Sequence, residues 1–348
     1  MRIIKPFAVD NTSLTASNVP ETPPAAYNAG TTYADGDLVS VTTGTASLVY
    51  ESLVGSNTGN TPASSPTFWL LLGTTYAVYN GGTAYDLDDI VISTTTNHAY
   101  QSLQAANTGH SLSDTAWWLD IGPTNRYKMF DQSNTSQTEN GESIDVTIDV
   151  TGRANSVSVL NLVGASLQVI ISTTEDGEIY NETINLVSSG GVTNWWEYFF
   201  QPVTRYGDWT ITDLPVNNNP TIRVILTDPD ATAKIGSLVV GLSRDIGTVI
   251  YPSSIGIQDY SRKEADDFGN YTIVQRDFAK RASLKVVVAE NNVDAITTIL
   301  AELRATPVVF VGVEQFRSTW IYGFYKDWSW QFAGPNESYL NLELEGLT

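Results

Sequence analysis

The chain has 348 residues, 42% of them hydrophobic, enough for two to four domains with real cores. Its 38 Asp and Glu against 18 Lys and Arg give a formal charge of −20, which repels phosphate backbones and argues against nucleic acid as a partner. There is no cysteine, so disulfides, thiolate metal centres and cysteine nucleophiles are excluded. No run approaches the ~20 apolar residues of a membrane span, so no membrane insertion is expected. The opening MRIIKPFAVDNT lacks the apolar core of an export signal. Abundant Thr, Ser, Asn, Gly, Val, Tyr and Trp are a strand-and-turn composition.

Residues 1–26 begin with a short apolar segment, Arg2 to Val9, and end in a proline-rich stretch with Pro20, Pro23 and Pro24. This reads as an arm and linker, either a flexible terminus or a strand that docks on a neighbouring subunit.

Residues 27–75 and 76–123 tell one story twice. Tyr27, Tyr33, Asp37 and Val39 match Tyr79, Tyr85, Asp89 and Val91 at an offset of 52. Tyr50 and Asn57-Thr58-Gly59 match Tyr100 and Asn107-Thr108-Gly109 at 50, and Trp69 and Gly73 match Trp118 and Gly122 at 49. The offset shrinks only where turns belong, which marks a tandem repeat of one small module. Each copy carries short alternating strands: Asp37–Val41 and Ser47–Glu51 in the first, Asp89–Ser93 and Ala99–Leu103 in the second. Modules of this size have little core and depend on aromatic filling. Tyr33, Tyr50, Trp69, Tyr85, Tyr100 and Trp118 are therefore assigned to structural cores. If Phe68-Trp69 and Trp117-Trp118 are strand neighbours, they point to opposite faces. Phe68 and Trp117 are then candidate exposed platforms for sugar rings, with Tyr27 and Tyr79 nearby.

After the connector Asn125–Asp131, residues 124–245 hold eight strand-like runs: Ser143–Val150, Ser156–Leu162, Leu167–Thr173, Glu178–Leu186, Trp195–Phe200, Asp208–Thr212, Thr221–Thr227 and Ile235–Leu242. Their spacing predicts a two-sheet sandwich of jelly-roll kind. Residues 246–348 change character. The strand Ser283–Ala289 leads to Asn291-Asn292, a candidate cap for a helix over Val293–Arg304, and strands follow at Val308–Val313, Trp320–Tyr325 and Tyr339–Leu344. Asp259, Asp266 and Asp267 fall in a polar stretch that reads as a long loop or hairpin. The fold expected is mainly β: two small β modules, a jelly-roll-like β-sandwich, and a C-terminal α+β segment with one clear helix.

Catalytic signals are absent. The two histidines, His98 and His110, stand where the first repeat has Leu48 and Asn60, so they read as surface variants. No nucleophile elbow, phosphate loop, dinucleotide fingerprint or zinc-protease motif occurs. The acidic clusters Asp86-Leu87-Asp88-Asp89 and Asp228-Pro229-Asp230 could hold Ca²⁺, but Asp89 repeats Asp37, which points to turn or cap roles. No catalytic residue, metal site or cofactor is assigned.

The pattern Tyr33-x-x-Gly36-Asp37-x-Val39, Val49-Tyr50-Glu51-Ser52 and Phe68-Trp69-x-x-x-Gly73 resembles the small chitin- and cellulose-binding modules of families 5 and 12. The second copy repeats it as Tyr85-Asp86-Leu87-Asp88-Asp89-Ile90-Val91, Ala99-Tyr100-Gln101-Ser102 and Trp117-Trp118-x-x-x-Gly122. It departs by losing the glycine before Asp89, and both copies open with Tyr where the family has Trp. The match covers about a third of the chain and implies saccharide binding. The connector Asn-Arg-Tyr-Lys-Met-Phe-Asp and the closing segment Trp320–Trp328 and Leu344–Leu347 resemble tail proteins of tailed bacteriophages. That resemblance implies a structural virion subunit of the tail tip or baseplate, similar to distal tail or hub proteins, made in the host cytoplasm. Its expected partners are other tail subunits, further copies of itself and a host-surface glycan. A secreted polysaccharide hydrolase with appended modules, and a purely structural subunit with degenerate modules, remain the alternatives.

Overall fold

The computed structural model describes residues 1–188, 193–200, 202–265, 268–334 and 336–347. Asp266 and Asp267 lie outside the described residues. The fold is mainly β, with a large antiparallel sheet, two small three-stranded modules and one clear helix. In chain order the main strands are β1 (Arg2–Pro6) and β2 (Leu14–Ser17); β3 (Leu38–Thr43), β4 (Ala46–Ser52) and β5 (Trp69–Tyr76) of the first module; and β6 (Ile90–Ser93), β7 (His98–Ser102) and β8 (Trp118–Pro123) of the second. The body contributes β9 (Thr138–Asp149), β10 (Ser156–Val163), β11 (Ser166–Thr173), β12 (Gly177–Asn185), the short helix α1 (Trp195–Phe200), β13 (Asp208–Ile211) and β14 (Thr221–Asp245). The C-terminal part adds β15 (Thr248–Asp259), β16 (Arg262–Ala265), β17 (Tyr271–Val274), β18 (Phe278–Ala289), α2 (Val293–Glu302), β19 (Val308–Val311), β20 (Trp320–Phe332) and β21 (Glu337–Gly346).

The sandwich is organised by β14. Its first part, Thr221–Thr227, pairs with β9 and β11; its later part, from Ile235 to Gly241, pairs with β10. Between them the register with β9 shifts at Gly141/Ser143, and Asp230 adopts a φ of 62°. A strand that changes partners at such a bulge turns the corner between two packed sheets. Alternation along β9, β11 and β14 sends Ile144, Val146, Ile148, Leu167, Val169, Ile222, Val224 and Leu226 into one fully buried core. Two of the runs expected as separate strands, Thr221–Thr227 and Ile235–Leu242, are thus parts of one strand.

Three further expectations need correction. The first part of residues 1–26 is not a free arm or a strand lent to a neighbour, whereas the proline-rich stretch after Ser17 is irregular chain leading to the first module. Strand β1 lies between β14 and β19 and pairs antiparallel with both, while β2 pairs with β9. Ile3 packs into the C-terminal core and Ile4 into a smaller cluster at the seam, because successive strand residues face opposite sides. One sheet therefore runs from the sandwich into the C-terminal part, in the order β12-β11-β14-β1-β19-β20-β21-β18-β15, and residue 245 is not a boundary in it. Second, Trp195–Phe200 is a helical turn, not a strand. Asn194 Oδ1 accepts from Glu197 N at 3.0 Å, and Glu197 Oε2 accepts from Thr193 N at 2.6 Å, a reciprocal cap that favours helix. Third, α2 has no side-chain cap. It is entered through a 3₁₀ turn at Glu290–Asn292, and Val293, Ile296 and Leu300 form its buried face.

The modules are tied to the body at one junction. Asn125 Nδ2 donates to Glu139 O at 2.7 Å and its Oδ1 accepts from Glu139 N at 3.0 Å, so the side chain imitates a strand partner. Gly141 lets β5 approach β9: a Cβ there would stand 2.4 Å from Leu71 O. Buried Glu21 accepts from Thr124 Oγ1 at 2.8 Å, its backbone carbonyl accepts from Thr75 Oγ1 at 2.5 Å, and Arg126 Nε donates to Val19 O at 2.7 Å. Burial pushes the Glu21 carboxyl up, against the pull of Thr124 and Arg126. The folded chain therefore binds this proton more tightly than the unfolded chain. The group's contribution to stability falls as pH rises from its ordinary 4.5 through the raised folded value. Glu21→Gln keeps an acceptor for Thr124 and removes the titration. Denaturant midpoints of the variant, relative to the parent, should rise across that window; parallel pH profiles would contradict the assignment.

Candidate functional site

Each module is a three-stranded meander with a polar turn closed over a knot of rings. In the first, β3, β4 and β5 pair in order; in the second, β6, β7 and β8 do. Tyr33, Val39, Tyr50 and Trp69 form one buried cluster, and Tyr85, Val91, Tyr100 and Trp118 the other. The rings repeat in geometry. Tyr33 meets Trp69 edge-on with centroids 5.2 Å apart at 71°, and Tyr85 meets Trp118 at 5.3 Å and 73°, the arrangement that aligns a ring edge with a ring face.

The polar repeats serve the same frame. Asp37 Oδ2 accepts from Ala34 N at 2.6 Å, and Asp89 Oδ2 from Asp86 N at 2.7 Å; both carboxylates close a tight turn. The glycine missing from the second copy has a structural substitute, since Gly36 has φ +82° and Asp88 takes φ 69° in its place. Asp88 is among the few residue types that tolerate that region, and its Oδ1 accepts from Gln101 Nε2 at 2.7 Å. The Asn-Thr-Gly turns hide a residue that the sequence reading passed over. Asn57 is buried, its Nδ2 donating to Ser52 Oγ at 3.0 Å and to Phe68 O at 3.2 Å; Asn107 does the same to Ser102 Oγ at 3.0 Å and Trp117 O at 3.3 Å. The signal was the repeat of Ser52 and Ser102 together with the two asparagines. The core tryptophans finish the closure: Trp69 Nε1 donates to Asn60 O at 2.9 Å and Trp118 Nε1 to His110 O at 3.0 Å.

The four candidate platforms divide into two kinds. Tyr27 and Tyr79 are half-buried and belong to the knots, stacked on Tyr33 and Tyr85 and edge-on to Trp69 and Trp118. Each ring is thus engaged by a stacked tyrosine and by a tryptophan edge-on. Tyr79 Oη donates to His110 O at 2.7 Å, whereas the buried Tyr27 Oη has no partner. A buried hydroxyl without a partner costs stability, and one with a partner contributes about 1 kcal/mol. Tyr27→Phe should therefore leave thermal stability unchanged or raise it, and Tyr79→Phe should lower it; equal losses would overturn this distinction.

Phe68 and Trp117 sit at the rims. Both precede their strands, which begin at Trp69 and Trp118, so they occupy turns and strand alternation does not orient them. Both are half-buried and pack against the edge of the knot. His110 lies on one face of Trp117, with centroids 3.8 Å apart and planes 10° from parallel, and its Nδ1 stands 3.7 Å from Asp114. His98 pairs with Asp120 at 2.8 Å. Among the described residues no group of three or more His, Asp or Glu is placed to hold a metal. Among the clustered acids, Asp228 is buried against Arg205, Nη1 to Oδ1 at 2.5 Å.

A cleft of about 410 Å³ opens between the modules and the body, lined by Gly73–Tyr76, Ile92, Ile121, Asn125, Lys128 and Glu139 among others. Tyr76 is its one aromatic residue, and neither Phe68 nor Trp117 reaches it. The rim aromatics and the cleft are thus separate features of the surface.

The chain matches no protein-family model and no curated protein sequence. Among solved structures it is weakly similar to chitosan-binding module 1 from a chitosanase/glucanase of Paenibacillus sp. IK-5. Identity is 13%, the match covers 33% of this chain and 83% of that chain, and the TM-score is 0.23. The similarity is thus to a carbohydrate-binding module and extends over a third of the chain.

Proposed function

We propose that the chain is a structural subunit of a bacteriophage tail tip or baseplate, which displays two carbohydrate-binding-like modules toward the host surface. The observation that carries the saccharide part is the pair of repeated ring knots, each with an aromatic residue, Phe68 or Trp117, at its rim. One rim with few contacts binds weakly, since ordering costs absorb much of the gain. Two modules in one chain, and many chains on a particle, raise the effective affinity by avidity. The virion part is supported by the resemblance of Asn125–Asp131, Trp320–Trp328 and Leu344–Leu347 to tail proteins. No catalytic role is proposed.

A second reading has its own observation. Tyr27 and Tyr79 are spent on the knots and His110 covers a face of Trp117, which suits modules kept as spacers. Purified particles separate these possibilities. The proposal expects the chain in virion preparations, antibody against the modules at the tail end, and slower adsorption by a Phe68→Ala/Trp117→Ala phage. Absence from particles overturns the virion part. Normal adsorption with the variant present on particles favours spacers.

A further inference from the structure

The two modules share one frame at the rim but carry different side chains on it. Asp114 O accepts from Trp117 N at 3.0 Å and from Trp118 N at 2.9 Å, and Ser65 O does the same for Phe68 N at 3.0 Å and Trp69 N at 3.1 Å. His110 O and Asn60 O likewise take equivalent places, each accepting from the core tryptophan of its module. On that frame the first module has Asn60, Ser65 and Phe68, and the second has His110, Asp114 and Trp117. The three changes meet in space. The His110 ring lies nearly parallel on Trp117 at 3.8 Å, and its Nδ1 stands 3.7 Å from Asp114 Oδ2, beyond hydrogen-bond reach. Among the described residues no ring stacks on Phe68.

The backbone of His110 is fixed, because its carbonyl holds both Trp118 Nε1 and Tyr79 Oη. Its side chain is 34% exposed and can change rotamer without moving that backbone. The titratable groups facing the ring are Asp114 on its own loop and Tyr79 across the rim. No Lys or Arg occurs from Pro6 to Asn125, so no cation of the modules opposes a charge on the ring. Protonation then acts in one direction. An imidazolium is attracted by the indole face and by the Asp114 carboxylate, whereas a neutral imidazole keeps only the stacking. The proton favours the covered indole, so a sugar on that face and the proton weaken each other's binding.

We propose that His110 is a proton-operated cover on the Trp117 platform, closed when the imidazole is charged and displaced by a saccharide when it is neutral. The first module has no such cover, and Phe68 is insensitive to pH over the same range. This deepens the saccharide reading of the rims and rests on it. A chain so built holds a glycan through both modules in neutral surroundings and through the first alone in acid.

The full chain has two histidines, so ¹³C-histidine labelling gives two sets of ring signals, and His110→Asn assigns them. The ring-current shift of His110, taken as the difference from Trp117→Ala at each pH, should grow as pH falls from about 8 to about 5. A difference that shrinks on protonation overturns the cover, whether or not a sugar binds. Retention on chitin, peptidoglycan and host-envelope polysaccharide is read over the same range in Phe68→Ala, which leaves the second platform alone. A rise of about three- to tenfold from low to high pH is expected. Adding His110→Asn, which places the first module's residue there, should hold retention at the high-pH level throughout. Trp117→Ala, with the first platform alone, should show no such rise. Equal pH dependence with and without His110 removes the cover and leaves the saccharide reading standing. No retention at any pH, by chains that circular dichroism shows to be folded, removes the saccharide reading and the cover with it.

Discussion

Trp118→Ala is expected to unfold the second module while the large sheet stays intact. The indole is 2% exposed, meets Tyr79 and Tyr85 edge-on, and donates Nε1–H to His110 O. Removing a buried tryptophan costs about 3–5 kcal/mol. The module's buried hydrophobic cluster has only three other members, Tyr85, Val91 and Tyr100, and no disulfide. A unit this small has no such reserve. Hydrogen exchange should show amides of Ile90–Ser93 and His98–Ser102 losing protection while those of β9, β11 and β14 keep theirs. Trp69→Ala should do the same to the first module less completely, because β5 also packs on β9 at Gly141. A uniform loss of protection along the chain would contradict a separately folding module.

The second large effect belongs to the first six residues. Deleting Met1–Pro6 removes Ile3 and Ile4, both buried, and opens β14 and β19 along the line where β1 pairs with them. Burial of the two side chains alone is worth about 3–6 kcal/mol, and the backbone groups of two exposed strands add to the loss. A denaturant midpoint lowered by most of the chain's stability, or insoluble protein, is expected. Gly241→Val tests the same joint without truncation. A Cβ there would stand 2.1 Å from Lys5 O, so β1 has to move away from β14 where Pro6 faces Gly241. Both sandwich and C-terminal part should weaken together. If the sandwich unfolded normally and only the C-terminal part were affected, β1 would not be the joint described here.

Much of the architecture was legible because it repeats or alternates. The changing offset of Tyr27, Tyr50 and Trp69 against Tyr79, Tyr100 and Trp118 located the modules, and the spacing of strand-like runs located β9 to β12. The helix over Val293–Arg304 was placed correctly to within its last turn, as Val293–Glu302. What failed depended on partners distant in sequence. Arg2–Pro6 is short, and only β14 and β19, hundreds of residues away, make it a central strand. Trp195–Phe200 has the bulk of a strand, but the local cap between Asn194 and Glu197 decides for helix; that Asn-x-x-Glu spacing was there to be read. Thr221–Asp245 looked like two strands because Asp228-Pro229-Asp230 reads as a turn, whereas the chain bends there and continues to pair with β9. In the modules, residue type identified the rings but not their exposure. Tyr27 and Tyr79 fold inward because their neighbours Asn28 and Asn80 donate backbone N–H to Tyr33 Oη and Tyr85 Oη, both at 2.8 Å, which holds them beside the knots.

The most direct test of the saccharide reading is retention of the purified full chain on chitin, peptidoglycan and host-envelope polysaccharide, beside Phe68→Ala/Trp117→Ala. The account predicts saturable, weak binding to at least one polymer, reduced about tenfold for each platform that loses roughly 1.4 kcal/mol of contact, in a variant shown by circular dichroism and hydrogen exchange to keep both modules folded at the assay temperature. No retention of the folded parent on any of them, or equal retention of parent and variant, would contradict Phe68 and Trp117 as the binding surface.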